Sequence, residues 1–147
     1  MTELRVGDQT IRYDRERTAA AYRAIERGEA ELCGCKSCRN FTIQRSAVFP
    51  PVFFELLEQL GIDPLKEGEV YDASGGPMED GCHLYGGWFY FVGEMVTAGE
   101  RNCVADDFPN FEYFFTTAGP AAPAFDGGPR LSLEFSMHLP WVVGEDR

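Results

Sequence analysis

The chain lacks any hydrophobic run long enough to cross a membrane. Its longest apolar stretch, residues 47–54, is broken by Pro50 and Pro51, whereas a spanning helix needs roughly 20 consecutive apolar residues. The opening Met-Thr-Glu-Leu-Arg has no apolar segment of the kind a secretory leader carries, which predicts a cytoplasmic protein with reduced thiols. Basic charge is scarce beyond residue 47: residues 48–147 hold four Lys/Arg against seventeen Asp/Glu, and the net charge of the chain is −11. Such a field repels phosphate backbones and anionic lipid, so nucleic acid and membranes are excluded as partners at this stage. Histidine is limited to His83 and His138. There is no G-x-S-x-G, Walker lysine loop, H-E-x-x-H or Rossmann glycine pattern. The missing nucleophile–base constellation argues against an enzyme.

What the sequence does have is cysteine in one place. Three of five cysteines fall at Cys33, Cys35 and Cys38, as C-x-C-x-x-C. An odd count, clustered in a chain without an export signal, suggests metal or redox chemistry rather than a disulfide framework. On the first turn of a helix Cys35 and Cys38 share a face, and Cys33 lies just before it. The free N–H groups of a helix start stabilise thiolates. Zinc takes four ligands in a tetrahedron and is favoured over an iron–sulfur cluster, so three thiolates need a further donor. Cys82, His83 and Cys103 are the candidates. Cys82 and His83 are strand neighbours facing opposite sides, so at most one of them can ligate. Lys36, Arg39 or Arg45 could offset the residual negative charge of such a centre. Two other readings compete: small buried thiols around a helix start, and a redox pair at Cys35 and Cys38.

A chain of 147 residues, 44% hydrophobic and 14% aromatic, fits one globular domain over residues 1–147. Residues 9–13 read as a short strand. Asp14 is a plausible N-cap for a helix whose apolar residues are Thr18, Ala21, Tyr22 and Ile25, with Gly28 as its stop. A second helix is expected from near Lys36 to Val48. A third follows Pro50-Pro51, carrying Phe53, Leu56, Leu57 and Leu60, with Gly61 closing it. The period then shifts to two. Strands are expected over residues 70–73, 82–92, 111–116 and 131–139, with loops at residues 74–77 and 119–129. Gly86-Gly87 inside the longest strand marks a bulge or a close approach by another group. Leu131, Leu133, Phe135, Met137 and Leu139 alternate with Ser132, Glu134, Ser136 and His138, which predicts one covered and one wet face. Early helices and late strands define an α+β fold, its N-terminal helices packed on a mainly antiparallel, aromatic-rich sheet.

Cys33-x-Cys35-x-x-Cys38-Arg-Asn-Phe41, Leu60-Gly-Ile-Asp-Pro64 and Asp80-Gly-Cys-His-Leu-Tyr-Gly-Gly-Trp88 resemble motifs of a group of uncharacterised bacterial proteins. The resemblance implies a bacterial cytoplasmic domain, carries no catalytic residue, and covers roughly residues 30–95. Three functions are expected in order: a structural zinc centre on Cys33, Cys35 and Cys38; an acidic interaction module, such as an inhibitor or immunity-type partner of a basic protein; and a small-molecule binder or enzyme using the aromatic sheet around Tyr85 and Trp88.

Overall fold

In the computed structural model, which describes residues 1–117, 119–120 and 122–145, alternation at period two builds most of a seven-stranded sheet. The strands are β1 (Thr2–Val6), β2 (Gln9–Tyr13), β3 (Glu69–Asp72), β4 (His83–Thr97), β5 (Cys103–Ala105), β6 (Phe108–Thr116) and β7 (Arg130–Leu139). All pairs are antiparallel, in the order β1-β2-β4-β7-β6-β5, with β3 also on β4. β4 is long enough to hold β3 along its first half and β2 along its last. The fold class is the α+β arrangement expected.

Four helices follow the early strands: α1 (Arg15–Arg23), α2 (Glu29–Cys33), α3 (Lys36–Val48) and α4 (Pro51–Leu60). Asp14 caps α1, accepting from Arg17 N at 3.0 Å. Gly28 does not stop this helix. It ends at Arg23, and Gly28 is instead the N-cap of α2, a short helix that five residues of sequence do not announce. α1 fills the gap that β2 and β3 leave along β4. Val92 N donates to Thr18 Oγ1 at 2.9 Å, Asp14 N to Val92 O at 2.9 Å, and the Tyr22 hydroxyl to Tyr90 O at 2.6 Å. A helix thereby satisfies backbone groups that a neighbouring strand would otherwise pair.

The core lies between α3, α4 and one face of the sheet. Phe41, Phe49 and Phe53 of the helical layer meet Phe89, Phe111 and Phe135 of the sheet, with ring centroids 4.9–6.3 Å apart. Edge-to-face pairs dominate, as ring quadrupoles favour. The Gln9 side chain joins β2 to β6, which β4 and β7 separate in the sheet. It donates to Phe115 O and accepts from Phe115 N, each at 2.8 Å. Gly86-Gly87 is a close approach rather than a bulge, since both ladders run through it unshifted. A Cβ at Gly87 would lie 2.6 Å from Glu69 O, and one at Gly86 would lie 2.5 Å from Tyr71 Oη.

Candidate metal centre

Cys33, Cys35 and Cys38 converge. Their sulfur atoms all lie within 4.8 Å of one another, and they form the only such group of three or more potential metal donors among the described residues. Local structure accounts for it. α2 ends in Gly34, whose left-handed φ of 64° turns the chain at once into α3. Only glycine takes that conformation without steric cost, and the turn brings Cys33 back beside the next helix start. Cys35 is the N-cap of α3, and its Sγ accepts from Cys38 N at 3.4 Å. That N–H, with hydrogen bonds from the Cys38 and Cys33 thiols and a weaker contact from Ser37, lowers the Cys35 thiol below its ordinary value. Burial pushes the Cys38 thiol far up, aided by its sulfur neighbours. Cys33 and Cys35 are exposed and Cys38 is buried. Three close sulfurs at a helix N-terminus could hold a metal ion.

A buried ion pair holds the two helices that carry these residues. Glu67 and Arg45 are both buried, and Arg45 Nη1 meets Glu67 Oε2 at 3.0 Å, while Arg45 Nη2 binds Glu31 of α2. Glu67 Oε1 also accepts from Ala30 N at 3.2 Å, serving the start of α2 that Gly28 leaves without a side-chain cap. Burial raises the Glu67 carboxyl, against the pull of Arg45. Arg45 is thus committed to carboxylates, which corrects the expectation that it could offset the thiolates. Lys36 lies next to Cys35; its Nζ donates to Glu145 O and lies 6.0 Å from the centre of the Trp141 ring.

Cys82 and His83 stand outside the three-sulfur group. Cys82 immediately precedes β4 and is half-buried. His83 is buried, its Nδ1 2.6 Å from Asp72 Oδ2 and its ring stacked on Trp141 at 4.5 Å between centroids. This corner still touches the helix start: Tyr85, two residues along β4, donates to Ser37 O at 2.7 Å, and Trp141 bridges His83 and Lys36. Cys103 lies at the turn between β1 and β2, where a Cβ on Gly7 would come within 2.8 Å of its sulfur. His138, on the other face of the sheet, pairs with Asp80 at 2.6 Å. Tyr85 and Trp88 do not share a groove. Tyr85 is fully buried towards the helices, and the alternation of β4 turns Trp88 to the opposite face. No described helix is long and apolar enough to cross a membrane.

An α+β domain with a three-cysteine corner as its candidate metal centre is therefore the class these observations define. No protein-family model, no curated protein and no solved structure matches the chain.

Proposed function

We propose that Cys33, Cys35 and Cys38 hold a structural zinc ion that locks the α2–α3 corner. The observation that carries this reading is the mutual approach of three sulfurs within 4.8 Å, on a turn whose ends are fixed by Gly34 and by the Arg45–Glu67 pair. Zinc favours thiolates in tetrahedral sites, and a structural site contributes directly to folding free energy. The fourth donor comes from the corner that carries Cys82 and His83, with at most one of the two used. Contacts through Tyr85 and Trp141 support that choice. The Asp72 carboxylate beside His83 Nδ1 is the kind of partner that orients a metal-binding histidine. The ion then ties the helical layer to the start of β4.

The test is elemental analysis of protein purified without added metal, combined with Cys38→Ser, Cys82→Ser and His83→Ala variants. One zinc per chain is expected, lost in the Cys38 variant and weakened in one of the other two. Metal-free protein with all thiols freely alkylated in the native state would remove the proposal.

A further inference from the structure

We propose that the sheet face turned away from α3 and α4 docks a basic protein segment, whose arginine or lysine side chains are received by the cross-strand row Glu69–Trp88–Glu134–Phe114. This inference is independent of the metal centre. The row follows from register. Glu69 stands opposite Trp88, Trp88 opposite Glu134, and Glu134 opposite Phe114. Directly opposed residues put their side chains on one face, roughly 4.5–5.5 Å apart at Cβ. Four neighbouring strands thus present acid, aromatic, acid and aromatic in line. The next row on the same face runs Tyr71–Gly86–Ser136–Glu112–Val104. Tyr71 and Val104 in it are 47% and 51% exposed.

Charge and unmet bonding identify the occupant. Glu134 is half-buried between Trp88 and Phe114, and it has no hydrogen-bond or ion-pair partner among the described residues. Burial alone raises its carboxyl above the ordinary value. A partly desolvated carboxylate flanked by two aromatic side chains is complementary to a guanidinium or ammonium group, which can pair with the acid and lie over a ring. Among the described residues, no basic side chain pairs with Glu134. Arg130, four residues before Glu134 on β7, lies over the Tyr90 ring at 4.9 Å and donates to Pro120 O at 2.7 Å. Arg12 is engaged by Glu3 and Glu94. Arg27, an exposed side chain, lines the cavity that Glu69 and Trp88 share, and no ion pair joins it to Glu69. The surplus of seventeen acidic over four basic residues after residue 47 would also speed encounter with a basic partner.

The probe is a capped hexa-arginine peptide, with hexa-glutamate as control, titrated into full-length protein carrying Trp141→Phe so that Trp88 is the sole indole. The arginine peptide is expected to change Trp88 emission, and Glu134→Gln to weaken its binding by about tenfold or more. Glu100→Gln removes the same charge from an exposed loop and should change binding by less than about twofold. Glu134→Gln is isosteric, and circular dichroism checks that it folds. Equal losses in the two variants would mean diffuse attraction to an acidic surface and would overturn the proposal, as would binding that leaves Trp88 emission unchanged. A dimer in sedimentation that the peptide dissociates would assign the face to a second copy of the chain and overturn it equally.

Discussion

At the scale of single residues, the chemistry turns on groups whose surroundings shift their ionisation in opposite directions. Cys35 is exposed and held low by the Cys38 N–H, while Cys38 is buried and pushed up. In metal-free protein Cys35 should therefore react with iodoacetamide before Cys38, and at a pH below that of an ordinary thiol. Peptide mapping after brief labelling checks the order, and the reverse order would contradict the geometry described. Glu134 gives a prediction of stability. Its folded-state pKa is raised by burial, so the folded protein keeps that proton to higher pH than the unfolded chain does. The group's contribution is most favourable at low pH and is lost as pH rises from the ordinary glutamate range through the raised folded value. Glu134→Gln should raise the thermal midpoint at pH 7 and leave it nearly unchanged below the ordinary glutamate range. A midpoint that falls at pH 7 would show that the carboxylate has a partner in the fold.

At the scale of elements, two devices position the cysteine corner and the sheet. The first is the buried Arg45–Glu67 pair, which links α2, α3 and the approach to β3. Removing Glu67 leaves the buried Arg45 with only the more exposed Glu31 as a carboxylate partner. Glu67→Ala should cost about 3–5 kcal/mol in denaturant unfolding, and the Arg45→Met, Glu67→Met double variant distinctly less. The second is the glycine pair of β4. Gly87→Ala drives a methyl against Glu69 O and should cost about 1–3 kcal/mol. Gly86→Ala meets only the exposed Tyr71 ring, which can swing aside, and should cost less. These elements differ in how far the sequence reveals them. β2, β6 and β7 are legible because buried and exposed side chains alternate along them. The first half of β4 is legible for another reason, its dense aromatic run. β1 and β5 are short edge strands with little burial, and they give no such signal. α2 is a five-residue helix whose N-cap Gly28 carries the same residue type as a helix stop.

At the scale of the whole molecule, the sheet separates two surfaces of different composition. One face builds the aromatic core with α3 and α4 and ends in the cysteine corner; the other carries the acid–aromatic row. The corner is legible in the sequence because its three sulfurs lie within six residues, so a single helix start brings them together. What supports that corner is not legible, because Arg45 and Glu67 are 22 residues apart and no local pattern pairs them. The row on the opposite face is hidden for a stronger reason: it exists only through the register of four strands drawn from residues 69 to 134. The central claim is that the three cysteines act together on one ion, and the most direct measurement is zinc content by mass spectrometry of natively purified protein. The account predicts one zinc per chain, released with concurrent loss of thermal stability when a chelator is added. Zinc-free protein whose thermal midpoint is the same with and without added zinc would contradict it.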